Sequence, residues 1–235
     1  MQKLGILGGM GPMATQLLYK MIIEKTDAKK DQEHLDMIIL NHATIPDRTA
    51  AIKSGETAEV LKVLSDDVLM LQKNGCEAIA IPCNTSHYFY EELQDRVNIP
   101  IINMVHSAVL DVIESKPDVK KIGILATDGT LFSDIYKKEC KKLGIEAIYP
   151  DEEFQKISMD IIYNQIKKGE RGNPLDFLKL DKHLKDKGCE AIILACTEFS
   201  CYKENNGVSD FYTDALESLC KKSIVMCGGT LKGEI

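Results

Sequence analysis

The sequence predicts an α/β protein built from two pseudo-symmetric units, each a mostly parallel sheet flanked by helices, arising from an internal duplication. Three observations carry this expectation. Residues 75–87 read GCEAIAIPCNTSH and residues 188–200 read GCEAIILACTEFS, matched at a constant offset of 113 residues. Upstream of each copy stands a second pair, KLGILGGMG from Lys3 and KIGILATDG from Lys121. Short apolar runs alternate with amphipathic stretches along the chain, which is the pattern of parallel strands joined by crossover helices.

In the first half, apolar runs predict strands over 3–8, 36–40, 78–82 and 100–102. Helices are expected over 12–27, opened by Pro12 in the first turn, and over 56–74, 86–96 and 103–115. The polar stretch HATIPDRT at 42–49 is expected to be a loop. Pro117 lies in a boundary segment over 115–120. In the second half the strands fall at 120–126, 145–149 and 190–195, with a less apolar candidate at 208–210. Helices follow over 131–143, 152–169, 174–187 and 211–222. The expected division is 1–116 with 211–235 as a discontinuous first domain and 117–210 as the second, facing each other across a cleft. The closing CGGTLKGEI has paired glycines and little apolar content and is expected to fray.

Composition narrows the function. With 235 residues the chain can bury a substantial core. A net charge of −7 argues against nucleic acid or an anionic membrane as a partner. Lys137, Lys138, Lys141 and Lys142 recur at helical spacing and read as a solvated face. No stretch approaches the length of a membrane span, and the N-terminus opens on a strand without a basic leader, so a cytoplasmic protein is expected. Eight cysteines in such a chain are expected to stay reduced. There is no CxxC, no HExxH and no Cys/His pair at zinc-finger spacing, and no metal is expected.

Cys83 and Cys196 occupy matched positions just past an apolar strand, where open α/β sheets bind their ligands. Each is followed by residues suited to a helix start, Asn84, Thr85 and Ser86 or Thr197 and Glu198. The positive end of a helix and its free N–H groups lower a thiol's pKa. The alternative is a small buried hydrophobe, as free cysteine often is. Cys76 and Cys189 also match across the repeat, but each precedes its strand, where inert packing is the better reading. Two equivalent thiols across a cleft can move a proton from one face of a carbon to the other, one acting as thiolate and one as thiol. The charge that develops on the substrate needs oriented donors, for which Asn84, Thr85 and Thr197 are candidates, with Thr127 and Thr130 at the turn after the first strand of the second half.

Other motifs carry weaker chemistry. In GILGGMGPMAT the GGMG element lets backbone approach a ligand closely. Gly9, Gly11 and Ala14 fit a loose dinucleotide pattern, but the second strand ends at Asn41, not at an acidic residue, and no GK[ST] follows. Arg48 offers a fork for a carboxylate, or a domain-interface ion pair. His87 falls one helical turn after Cys83, where it either tunes the thiol or serves as a structural hydrogen-bonding group. His34, His42, His106 and His183 show no ligand spacing.

GILGGMGPMAT, PDRT, PCNTSH and CTE, in this order, resemble the aspartate/glutamate racemase family, in its aspartate racemase and broad amino-acid racemase branch. The resemblance runs from Lys3 to Ser200. It implies a PLP-independent, two-domain α/β enzyme, a homodimer, that uses no cofactor and acts on a small amino acid. It implies that Cys196 takes the proton from the L-enantiomer and Cys83 from the D-enantiomer. Met10, Asn84, Thr85, Thr127, Thr130, Thr197 and Glu198 would line the site, and Arg48 would hold a substrate carboxylate. A family lysine matches Lys167 in IYNQIKKG, with Asn164 and Lys168 as neighbours in a looser alignment. The expected reaction interconverts L- and D-aspartate, with glutamate or other amino acids also accepted. The alternatives are a decarboxylase or maleate-type isomerase of the same architecture, or an amino-acid-binding protein. The segment SDFYTDALESLCKKSIVMCGG at 209–229 departs somewhat from the family pattern.

Overall fold

A computed structural model describes residues 1–233. Three strands, β1 (Leu4–Gly8), β2 (Met37–Asn41) and β3 (Ala78–Ala80), form a parallel sheet in the order β2-β1-β3. Four more, β4 (Lys121–Leu125), β5 (Glu146–Ile148), β6 (Ala191–Leu194) and β7 (Tyr212–Asp214), form a second parallel sheet in the order β5-β4-β6-β7. The duplication thus reappears as two sheets in which the GIL strand is central and the CEAI strand lies beside it. β1 and β6 are buried along their whole length, which is why they read as unbroken apolar runs, whereas the edge strand β2 is partly exposed.

The helices are α1 (Pro12–Lys25), α2 (Arg48–Ser54), α3 (Ala58–Lys73), α4 (Tyr90–Gln94), α5 (Met104–Ser115), α6 (Asp128–Phe132), α7 (Ile135–Lys142), α8 (Glu152–Asp160), α9 (Pro174–Asp186), α10 (Thr197–Asn206) and α11 (Ala215–Met226). Among the described residues none is long and apolar enough to cross a membrane. Glycine is required at the exit of β1. Gly9 has φ +94°, and a Cβ there would come within 2.4 Å of the His42 carbonyl carbon.

Several elements differ from the sequence reading, each for a local reason. The 100–102 run makes only an isolated bridge between Ile101 and Ile79. The last strand lies at Tyr212–Asp214, not at 208–210. The stretch 42–49 is not all loop, because the Asp47 side chain accepts the Ala50 N–H and starts α2. The helix expected over 131–143 begins at Asp128, capped by Thr127, and breaks at Asp134, whose φ is +56°. The long helix from 152 ends in a π turn at Ile161–Gln165 and a 3-10 turn at Ile166–Lys168. The stretch after Cys83 opens with a 3-10 turn, Thr85–Phe89, before α4.

The closing segment is tied down where fraying was expected. The Asp27 N–H donates to the Thr230 carbonyl, the Lys232 N–H to the Lys25 carbonyl, and Leu231 is buried. Glu234 and Ile235 of that stretch lie outside the described residues.

The two halves share their largest core. Ile6 and Leu18 of the first half pack in one cluster with Val109 on α5, Ile124 and Ile193 of the second sheet and Leu219 on α11. α11 lies against α1 and α5, while β7 pairs with β6 in the second sheet, beyond residue 210 where the sequence reading ends the second domain. Leu64, Ile79 and Phe89 build a core on the outer side of the first sheet, and Phe177, Leu194 and Phe199 one on the outer side of the second. Each fully buried Leu, Ile or Phe contributes roughly 1.5–3 kcal/mol.

Glu217 on α11 accepts hydrogen bonds from Lys25 of α1 at 2.7 Å and Lys203 of α10 at 2.6 Å. Burial pushes its carboxyl up, but the bonds to Lys203 and Lys25 outweigh this and hold it down to about 2, below the ordinary 4.5. The depressed pKa means the stabilisation is complete above about pH 4.5 and is lost as pH falls toward 2. Glu217→Gln should therefore lower stability near neutral pH by on the order of 1–2 kcal/mol, since solvent screens part of the attraction of these partly exposed pairs. It should also flatten the loss of stability between pH 4.5 and 2, as measured by denaturant unfolding across pH.

Candidate active site

Beyond β3 the chain runs through Ile81 and Pro82 to Cys83, whose N–H folds back to the Ile81 carbonyl at 2.7 Å. Beyond β6 it runs through Ala195 to Cys196, which caps α10 in extended conformation. Both thiols line one cavity between the two sheets, at the carboxyl ends of their strands. The inner space is about 20 Å³, enough for about one water. Outside it lies a vestibule of about 320 Å³ walled by Gly9, Gly11 and Ala14 of the first turn. Met10, Asp47, Arg48, Tyr163, Lys167 and Glu198 face both spaces.

The Cys196 thiol donates to Glu198 Oε2 at 2.8 Å, and Lys167 Nζ donates to Glu198 Oε1. Glu198 is 5 % exposed, so this chain of thiol, carboxylate and ammonium is largely dry. Burial pushes the Cys196 thiol well above its ordinary value, the Glu198 charge pushes the same way, and Lys167 opposes both. The lowering expected from the N-terminus of α10 is overturned: loss of water and a carboxylate two residues on outweigh the helix dipole. Burial lowers Lys167, but the Glu198 carboxylate outweighs it and holds the ammonium charged. Lys167 also lies 5.5 Å from the centre of the Tyr163 ring. The residue chosen from the loose alignment is therefore in the cavity, and Asn164 instead bonds the Asp160 carboxylate.

On the other side, His87 does not reach the Cys83 thiol. Its Nε2 accepts the Met104 N–H at 3.0 Å, so Nδ1 carries the hydrogen and donates to the Cys83 carbonyl at 2.9 Å. Burial holds this ring neutral. His87 thus fixes the backbone under Cys83. His42 and His106 bond Asp67 and Glu139, and His183 accepts the Asp151 N–H, all outside the cavity. Among the described residues no three His, Cys, Asp or Glu side chains converge to hold a metal ion.

Arg48 lines the cavity, but not with its whole fork. Nη1 donates to the carbonyls of Ile45 at 3.0 Å and Pro46 at 2.9 Å, while Nε is buried without a partner. Asn84, 2 % exposed, accepts the Tyr136 hydroxyl on Oδ1 at 2.6 Å, and its Nδ2 is buried without a partner. Thr85, Thr127 and Thr130 join their hydroxyls in a ring across the halves, at 2.9, 3.0 and 3.2 Å. Thr85 and Thr127 line the cavity, whereas Thr130, expected to line the site with them, is wholly buried and is not part of this lining. Thr197 lines the cavity, and Met10 Sδ accepts from Ser86 at 3.2 Å.

Sequence reasoning missed Asp47, Thr49 and Tyr163 in the lining. Asp47 caps α2 with one oxygen and accepts from the Tyr163 hydroxyl with the other at 3.3 Å. Pro-Asp-Arg-Thr does carry an N-cap signal that locates Asp47, whereas Tyr163 reaches the site only through the π turn. Near this rim the halves touch closely. A Cβ at Gly129 would lie 2.8 Å from Thr49 Cα and 3.0 Å from Thr85 Cγ2.

Removing the negative charge beside Cys196 should let its thiol ionise more easily. In Glu198→Gln the midpoint for alkylation of Cys196, followed peptide by peptide by mass spectrometry across pH, should fall. An unchanged midpoint would mean that the carboxylate does not govern this thiol.

The chain matches the family model described as Asp/Glu/Hydantoin racemase over residues 7–207. It is 32% identical over 152 residues to the broad specificity amino-acid racemase RacX of Bacillus subtilis, a match covering 63% of this chain and 64% of that protein. A glutamate racemase of Persephonella marina is 26% identical over 156 residues, covering 65% of this chain and 57% of the relative. The match thus spans less than two thirds of either relative's length. Among solved structures, the aspartate racemase of Picrophilus torridus superposes with a TM-score of 0.82 at 26% identity, covering 100% of this chain and 97% of that one. An aspartate racemase homologue from Pyrococcus horikoshii OT3 gives 0.78 at 26% identity, covering 97% and 99%. The chain belongs to the Asp/Glu/hydantoin racemase family.

Proposed function

We propose that this protein is a PLP-independent amino-acid racemase that moves the α-proton between two cysteines. One observation carries the reading: Cys83 and Cys196, at matched positions of the two repeats, line the same small cavity. One sulfur, as thiolate, removes the α-proton; the other, as thiol, returns a proton to the opposite face. Cys196, hydrogen-bonded to Glu198, is suited to be the donor when the D-enantiomer is consumed, with Cys83 as base. The opposite assignment holds for the L-enantiomer. Arg48 Nε and Asn84 Nδ2, both buried and unpartnered, are the groups available to the substrate carboxylate as charge develops on it.

Aspartate is the proposed substrate, with glutamate and other amino acids accepted. The cations Arg48 and Lys167 on the cavity wall support a dicarboxylate, as does the likeness to aspartate racemases. Lys167 is already engaged by Glu198, so a side-chain carboxylate must compete for it, and the likeness to a broad-specificity racemase agrees with a relaxed preference. The eight unpaired cysteines suit a reducing compartment, and the same reading takes the protein as a cytoplasmic homodimer.

Solvent deuterium entering the α-carbon, followed by NMR without added cofactor, tests the proposal with both enantiomers of aspartate, of glutamate and of a neutral panel. Exchange of both enantiomers of one substrate, with the opposite isomer appearing, is expected. Enantiomers have equal free energy, so kcat/KM must agree in the two directions even in a variant. The inequivalence of the thiols shows only in exchange. Cys83→Ser and Cys196→Ser should each lose racemisation by roughly 10²–10⁴-fold. Each should keep exchange on one enantiomer, and not on the same one. Variants that both exchange both enantiomers would sink the two-thiol reading.

Activity should also be bell-shaped in pH, because acid protonates the base and alkali ionises the donor. Burial and the Glu198 charge push the Cys196 thiol above its ordinary 9.0, which moves the alkaline limb upward in both directions alike. The apparent values belong to the pair of thiols. A rate that stays flat from neutral to strongly alkaline pH, with chemistry rate-limiting, would contradict the mechanism.

A further inference from the structure

Tyr136, on α7 of the second half, is the largest side chain with no exposed surface among the described residues. It does not line the cavity. Its hydroxyl nevertheless crosses to the first half and meets Asn84 Oδ1 at 2.6 Å, the one polar contact that the Asn84 side chain makes among the described residues. We propose that Tyr136 is a positioning residue for the racemase chemistry, holding the Asn84 amide with its N–H₂ turned to the carboxylate of the reacting substrate. The proposal rests on the racemase reading.

The direction of the hydrogen bond decides which end of the amide faces inward. A phenol has one O–H donor, and this one is wholly buried, with Asn84 its partner. If the amide were turned over, the Tyr136 oxygen would accept from Nδ2 and its own buried hydrogen would have no acceptor. Burial, together with the groups at Cys140, Asp214 and Cys196, keeps the phenol protonated and so a donor. With Oδ1 engaged, Nδ2 is the atom left over: buried, unpartnered and on a residue of the cavity wall. A buried N–H₂ without an acceptor is likewise costly, and a substrate carboxylate relieves that cost. Negative charge on that carboxylate grows as the α-proton leaves, so a fixed donor there favours the transition state over the bound substrate.

The arrangement also couples the amide to the docking of the halves. Asn84 follows β3 of the first sheet, while Tyr136 stands on the helix after the break at Asp134. The amide is therefore held in this orientation only when both halves are in place.

A double-mutant cycle tests the assignment, with α-proton exchange at saturating substrate, KM and thermal unfolding as readouts. Tyr136→Phe keeps the ring and removes only the hydroxyl. It should lower the exchange rate roughly 10- to 100-fold, with KM changed less than about threefold and the unfolding midpoint nearly kept. Asn84→Ala should lower the rate by roughly 10²–10³-fold, and the double variant should be no slower than Asn84→Ala alone. Asn84→Asp, which still accepts from Tyr136 but offers no N–H, should stay folded and lose exchange to the same degree as Asn84→Ala. A Tyr136→Phe rate equal to wild type overturns the proposal, as does an effect of Tyr136→Phe that persists undiminished in the Asn84→Ala background. So does wild-type activity in Asn84→Asp. Each of those results leaves the racemase reading intact. Absence of exchange in the wild-type protein on every substrate removes that reading and this proposal with it.

Discussion

The apolar core shared by the two sheets is the constraint on which the site depends. Each repeat by itself makes a sheet with a thiol past the end of one strand. Only the packing of α11 against α1 and α5, with residues of both sheets in one cluster, turns the carboxyl ends of β3 and β6 toward a common cavity. The contact is tight near the site as well, where Gly129 has no room for a methyl group against Thr49 and Thr85. Close packing of this kind transmits small errors, so the relative placement of two sulfurs on separate sheets is held by side chains far from either.

Within that frame the two halves are matched in position but not in chemistry. The residue two beyond Cys83 is Thr85, and the residue two beyond Cys196 is Glu198. Thr85 closes a ring of neutral hydroxyls with the opposite half, whereas Glu198 accepts from the thiol and from Lys167. A carboxylate beside a sulfur favours the thiol form, as at Cys196. Duplication thus supplied two equivalent positions, and divergence at one residue made the two sulfurs inequivalent. That inequivalence suits a reaction that needs one base and one acid at the same instant.

The polar groups of the cavity are also economical in number. Arg48 spends one nitrogen on two backbone carbonyls, and Lys167 spends its charge on Glu198. What remains free in a dry setting is Arg48 Nε and Asn84 Nδ2. Buried unpartnered donors are rare in folded proteins because each costs free energy, and the two on residues of the cavity wall are what supports the proposed reception of a substrate carboxylate there.

Much of this was legible in the chain. The repeat, the parallel strands and the position of Cys83, Cys196, Asn84 and Thr85 follow from apolar periodicity and from motifs placed just past strand ends, because such local signals specify strands and their termini; Lys167 was reached only through the family resemblance. The strand at Tyr212–Asp214, the helix from Arg48, the anchored segment around Leu231 and the break at Asp134 were not, since each depends on a partner distant in sequence or on one side-chain cap. The sequence by itself determined which residues can do chemistry and at which end of which strand they stand. Tertiary structure decided their electrical state and their hydrogen bonds. It put Thr130 behind the wall, turned His87 to a backbone carbonyl, and raised the Cys196 thiol where the helix start alone would have lowered it. The reason is that burial and the nearest charge set a group's protonation, and both are properties of the packed neighbourhood and not of the residue's place in the chain.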